Sequence, residues 1–418
     1  MSSINFFNLL SSEIERIDNL GLSKRQEKII EGFTNDEVKK AIIKGKKYYV
    51  FNSNDYLSLR FHPRLKEKEK EATEKYGTGP GAVRFISGSL KVHKDLEKEL
   101  AYFHQKEEAM IFSSAFATNQ GVIFPLIVGQ TKNSIINDKV LVISDELNHR
   151  SIIDAIRLAK LPSNQKTIFN HMDIANLESI VKNAFDKFDR ILIITDGVFS
   201  MLGEIQKLKE ITMIKKKYDE KFKNGILIIV DDAHGVGVLG KMGQGSEEEE
   251  KCQVDVLIGT FGKAFGTDGG YVVSKKIIID YLRESAATYI YSNNLTAGTA
   301  AASLEALKIL QEEEGFQIRK KLTDNISYFK QLVEKEKIPM AANSFHPIQP
   351  VLIGDPKKTK KIVKELFNLG FLTTAISYPV VPQGYDEIRL QINANHDKKA
   401  IELLIDGLKR SLKKFEVI

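Results

Sequence analysis

The stretch Ile226-Leu-Ile-Ile-Val-Asp231-Asp232-Ala-His234 decides how this chain folds. Its consecutive apolar, mostly β-branched residues read as a strand buried on both faces, because a half-exposed strand would alternate apolar with polar. Such strands belong to mostly parallel sheets with helices on both sides. Two carboxylates and a histidine at the carboxyl end of that strand are costly to bury unless something there uses them. Val256-Leu-Ile-Gly-Thr260-Phe-Gly262-Lys263-Ala-Phe-Gly266 repeats the pattern, and its lysine follows Asp231 by 32 residues.

Outward from these two strands the same rhythm begins near residue 108. Ala109–Phe112, Val140–Ser144, Thr167–Asn170, Arg190–Thr195, Ile226–Asp231, Val254–Gly259 and Gly270–Ser274 read as strands separated by amphipathic helical stretches. After a helix at Ala297–Gln311, helices near Arg319–Glu334, Lys358–Asn368 and Asp397–Lys413 accompany strands Pro350–Ile353 and Glu387–Ile392. The first 35 residues read as amphipathic helix with a capping box at Ser12 and Glu15. The expected organisation is an N-terminal helical segment over 1–50, a large α/β domain over 51–300, and a smaller α+β domain over 301–418.

Composition narrows the function classes. With 42% apolar and 28% charged residues in 418, the chain is globular and long enough for a large catalytic domain and a smaller one. The 61 basic and 55 acidic residues are interspersed, and Lys215–Lys217 and Lys357–Lys361 fall on polar helix faces, so no nucleic-acid partner is expected. No apolar run approaches the roughly 20 residues of a membrane helix, so no membrane span is expected. The single cysteine, Cys252, excludes an intrachain disulfide and a Cys-rich zinc site, and no metal is expected. The start MSSINFFNLL has neither a basic region nor a cleavage site for export, so a cytoplasmic location is expected.

Ligands of open α/β sheets bind beyond the carboxyl ends of the strands. Gly235-x-Gly237-x-x-Gly240 matches a dinucleotide fingerprint in form, but a glycine-broken loop follows it where a helix is required. Those glycines read instead as a loop turning past a bound ligand. An Asp at one strand tip and a Lys at a later one suit pyridoxal 5′-phosphate. The carboxylate keeps the pyridine nitrogen protonated and the lysine carries the cofactor as an imine. Burial would lower the pKa of Lys263 and free its amine. Ser113-Ser114-Ala115-Phe116-Ala117, between a strand and a helix, supplies backbone N–H groups for the phosphate.

Over roughly residues 45–415 the chain resembles the α-oxoamine synthases, fold-type I pyridoxal phosphate enzymes that condense an amino acid with an acyl-coenzyme A. The resemblance runs through Asn54-Asp-Tyr-Leu57, Ala82-Val-Arg-Phe-Ile-Ser-Gly88, Ser144-Asp-Glu-Leu-Asn-His149, Thr195-Asp-Gly-Val-Phe-Ser-Met201, Asp231-Asp-Ala-His234, Gly259-Thr-Phe-Gly-Lys263 and Tyr291-Ser-Asn293. It implies that Lys263 bonds the cofactor, Asp231 pairs with the pyridine nitrogen, His234 contacts the ring hydroxyl and His149 lies against the ring face. Ser200 helps hold the cofactor. Ala115, Phe116 and Thr260 bind its phosphate, joined across a homodimer interface by Ser292 and Asn293. Asn54 and Arg389 meet the substrate. Ser377, two residues before Pro379, replaces an arginine found in some members; Leu202 and Ala115 are further departures.

Tyr378-Pro-Val-Val-Pro-x-Gly384 with Ile388-Arg389 is similar to the 2-amino-3-ketobutyrate coenzyme A ligases. Glycine and acetyl-coenzyme A are therefore the expected substrates. Reactions of the serine palmitoyltransferase or 8-amino-7-oxononanoate synthase kind remain open alternatives. An aminotransferase of the same fold and a catalytically silent partner subunit are open too, although intact Asp231, His234 and Lys263 argue against silence.

Overall fold

A computed structural model describes residues 2–20, 23–25, 27–131, 133–136, 138–378 and 380–418. The chain divides into two compact units, Met1–Val50 and Phe51–Ile418. The first unit holds a helix, Ser2–Asn19, and three short strands: β1 (Gly32–Phe33), β2 (Lys40–Ile43) and β3 (Lys46–Val50). β2 pairs antiparallel with both neighbours. Lys44 and Gly45 join β2 to β3 at φ 49 and 70, the positive angles that a two-residue hairpin turn needs.

This unit corrects two expectations. The helix ends at Asn19, well short of residue 35: Asn19 and Gly21 in the sequence are poor helix formers, and Gly32–Phe33 already form a strand. Ser12 lies inside the helix and cannot cap it, since apolar residues at helical spacing extend upstream to Phe6.

The second unit is organised by a seven-stranded sheet. Its strands are β4 (Glu108–Phe112), β5 (Val140–Asp145), β6 (Lys166–Phe169), β7 (Arg190–Asp196), β8 (Ile226–Asp231), β9 (Val256–Thr260) and β10 (Gly270–Ser274). The order is β4-β10-β9-β8-β7-β5-β6, and only β10 runs against its neighbours. Ile191, Leu192, Ile193 and Ile194 are all fully buried, as the consecutive apolar pattern requires when helices cover both faces. The sheet gathers chemistry at one edge. Asp231 is in register with Asp196 on β7 and Ile258 on β9, and Phe112, the last residue of β4, is opposite Gly270. The tips of β4, β5, β7, β8 and β9 therefore share that edge, and the turn between β9 and β10 holds Lys263 above it.

Beyond the helix Ala297–Gln311 and the helix Glu313–Lys335, the chain forms β11 (Ile348–Leu352), β12 (Phe371–Leu372), β13 (Thr374–Ile376) and β14 (Glu387–Gln391). β14 lies antiparallel between β11 and β13. Ile388 and Leu390 are fully buried on one face of β14, which places Arg389 on the other. Helices Pro356–Asn368 and Lys398–Lys414 are capped by Asp355 and Asp397, whose side chains accept from Lys358 N and Ala400 N. Dividing the second unit into folding domains at residue 300 remains a proposal.

Candidate active site

The cleft at this edge is lined by Ala115, Phe116, His149, Ser200, Asp231, His234 and Lys263, all singled out from sequence, together with Ser151, Asp196 and Ala233. The apolar residues of β8 carry Asp231 there almost fully buried. Its Oδ2 accepts from Asn119 Nδ2 at 2.5 Å and its Oδ1 from Ala233 N at 3.1 Å. Among the described residues it makes no ion pair with lysine or arginine. A buried carboxylate held only by neutral donors is costly alone and suits a cationic partner in the cleft.

Lys263 projects from the β9–β10 turn, which Thr260 ties down by donating from Oγ1 to Gly269 O at 2.9 Å. Desolvation draws the Lys263 amine down to about 8, opposed by Asp231 and Asp196. Roughly a tenth is then free base at pH 7, far more than for an ordinary lysine at about 10.4. Burial, and then repulsion from Asp231, pushes Asp196 well above the usual carboxylate range. Asp196 Oδ2 accepts from His149 N at 2.8 Å. Burial, with Lys263 and Arg389 nearby, holds His234 well below its ordinary value and therefore neutral. Its Nδ1 lies 2.8 Å from the hydroxyl of Tyr56, which is fully buried.

His149 begins the helix Arg150–Leu158 as its N-cap, and its Nδ1 accepts from Ser151 N at 3.3 Å. Ser151 Oγ lies 2.7 Å from the same nitrogen and accepts from Asn119 Nδ2 at 2.8 Å. On the cleft's other side, Ser114 caps the helix Ala115–Val128 by accepting from Ala117 N at 3.1 Å. The Ala115 and Phe116 amides stand in the first turn, where a helix has no acceptor of its own. They are the natural anion site of the cleft.

Arg389 is buried, donates from Nε to Ser200 O at 2.6 Å, and lies 3.4 Å from Asn54 Oδ1. The structure thus brings Arg389, Asn54 and Ser200 together. It does not bring Ser292 and Asn293 to the cleft of their own chain: Ser292 is half-buried and Asn293 exposed. Pro379 lies outside the described residues.

The glycine loop differs from its reading. A Cβ at Gly235 or Gly245 would fall on the Asp232 carboxyl, one at Gly240 on Glu248, and one at Gly237 on Ala264. These glycines make room for the protein's own side chains. Asp232 faces away from the cleft, with Oδ2 accepting from Ser246 N at 2.7 Å, and Glu248 accepts from Met242 N at 2.9 Å and Gln244 N at 3.0 Å.

Solved structures share this architecture. The serine palmitoyltransferase of Sphingomonas wittichii superposes with a TM-score of 0.88 over 100% of both chains, at 24% identity. That likeness defines the fold as that of the fold-type I pyridoxal phosphate transferases. The aminotransferase class I and II model matches residues 46–408. Two proteins described as 8-amino-7-oxononanoate synthase are similar along their whole length. That of Petrotoga mobilis is 40% identical over 99% of this chain and 98% of its own, and that of Fervidobacterium nodosum 39% over 99% of each. The chain belongs to the aminotransferase class I and II family, and within it to the α-oxoamine synthases, acyltransferases that depend on pyridoxal 5′-phosphate.

Sequence reasoning missed Asn119, Ser151, Asp196 and Tyr56 as members of the site. Asp196 and Tyr56 stood inside quoted motifs without a role. Asn119 sits in a helix apolar on nearly all sides, so no helical period marked the face turned to the cleft.

Proposed function

We propose that the protein condenses alanine with a seven-carbon dicarboxylic acyl thioester to give 8-amino-7-oxononanoate. Its full-length similarity to synthases of that product carries the reading. The product's name specifies the substrates: C1 to C7 are an acyl chain ending in a carboxylate, and C8 and C9 are the Cα and methyl of alanine. Alanine's carboxylate leaves as carbon dioxide, a carbon–carbon bond replaces the thioester C–S bond, and the thiol leaves with a proton.

Pyridoxal phosphate, when bound, supplies a ring that delocalises the electron pair left on the amino acid's Cα. Lys263 is the residue that would attach it, and the free amine takes up the Cα proton. With the cofactor bound, Asp231 would pair with its pyridine nitrogen, His234 with its ring hydroxyl, and His149 would pack on the ring. The amides of Ala115 and Phe116, with Thr260, would hold the phosphate. Arg389, near Asn54, grips the amino-acid carboxylate with a planar fork that a lysine cannot reproduce. Ser292 and Asn293 would serve a second copy's phosphate, which makes a homodimer the proposed active species.

The glycine and acetyl-coenzyme A expected from Tyr378–Gly384 form the competing pair, and they give a product that keeps the amino-acid carboxylate. The experiment is carbon dioxide and thiol release, with mass spectrometry of the product, for alanine with the seven-carbon donor and for glycine with acetyl-coenzyme A. Equal release of carbon dioxide and thiol with the first pair is expected. Faster thiol release with glycine and acetyl-coenzyme A, without carbon dioxide, would overturn the alanine reading.

A further inference from the structure

We infer that Asn119 and Ser151 hold His149 as the neutral tautomer protonated at Nε2, so that it meets a ligand as a hydrogen-bond donor and never as a base. The Ser151 backbone N–H, 3.3 Å from Nδ1, can only donate, so this long contact favours a lone pair on Nδ1 without fixing it alone. The Ser151 hydroxyl is 2.7 Å from the same atom, and its own oxygen already accepts from Asn119 Nδ2 at 2.8 Å. Its single proton therefore goes to Nδ1.

Asn119 is locked in its turn. Its second amide proton goes to Asp231 Oδ2, which accepts it at 2.5 Å. Turning the amide over would set two acceptors face to face. The orientation persists although it leaves Asn119 Oδ1 buried without a partner, a loss the relay must offset. A chain of fixed donors thus runs from Asp231 through Asn119 and Ser151 to His149. Nε2 has no hydrogen-bond partner among the described residues, and the ring borders the cleft. With Nδ1 saturated by donors and Nε2 protonated, the ring offers no lone pair to a substrate proton, which leaves proton removal to Lys263. Asn119 and Ser151 are positioning residues.

Nitrogen NMR of histidine-labelled holoenzyme tests this, with His149→Gln assigning the signal. The proton should sit on Nε2 in the wild type. Ser151→Ala, which leaves only the longer amide contact, should mix the two tautomers and raise the amino-acid KM about fivefold with kcat and cofactor absorbance little changed. Ser151→Thr, which retains the hydroxyl, should restore both. A wild-type proton on Nδ1, or an Ala variant with an unchanged tautomer, would overturn the inference. The KM arm rests on the proposed acyltransferase reading and the NMR arm does not. An enzyme inert to every acyl donor but protonated at Nε2 would sink that reading and uphold the relay.

Discussion

The tip of β8 and the glycine loop that follows it are neighbours in sequence but serve opposite purposes. Asp231, the last residue of β8, faces the cleft, where its oxygens meet only neutral donors. Asp232 points the other way, into a space cleared by Gly235 and Gly245, and one of its oxygens has no partner. Adjacent residues of an extended chain point to opposite sides, so one carboxylate faces the cleft and the other faces the protein. A glycine-rich loop beside a site is therefore no proof that the loop touches the ligand.

The largest effect should separate the two aspartates. Asp231→Asn should keep cofactor binding yet lower turnover by roughly 100-fold or more, about 3 kcal/mol of transition-state stabilisation, while Asp232→Asn stays within about threefold. Steady-state rates at saturating cofactor decide it, and the reverse ranking would break the comparison.

A pH series sharpens it. Burial raises Asp232 to about 8, against an ordinary value near 3.8. Between about pH 4 and 8 the folded protein keeps a proton that the unfolded chain has lost, so this residue makes stability fall as pH rises across that window. Its slope is at most about 1.4 kcal/mol per pH unit. Denaturant unfolding should show Asp232→Asn gaining on the wild type from pH 4 to 8, and parallel curves would contradict the placement.

The smallest effect concerns the loop. Gly245 has φ 100, whereas a Cβ at Gly262 would meet nothing nearer than 3.6 Å. Gly245→Ala should cost about 2–3 kcal/mol and Gly262→Ala less than about 1. Equal losses in urea unfolding would mean that the loop yields to the added methyl.

Much of this arrangement was legible because its signals were physical. Ile226–Asp231 and Gly270–Ser274 agree with the observed strands to the residue, since both are short apolar runs ended by a charge or a polar turn. Charges at apolar strand tips likewise exposed Asp231 and Lys263. The strands of residues 32–50 were not legible, because two to five residues are too few for alternation to stand out from a helical pattern. The glycine loop was misread because its glycines answer to Asp232, Glu248 and Ala264, partners that only the folded chain supplies. The relatives support the 8-amino-7-oxononanoate synthase alternative better than the glycine and acetyl-coenzyme A expectation.

The central claim is that Lys263 attaches the cofactor opposite Asp231, and borohydride reduction of the holoenzyme followed by peptide mapping tests it most directly. The account predicts one pyridoxyl group per chain, on Lys263, and none on that peptide in Lys263→Ala. A pyridoxyl group on another lysine in the wild type, or an unchanged reducible adduct in Lys263→Ala, would contradict it.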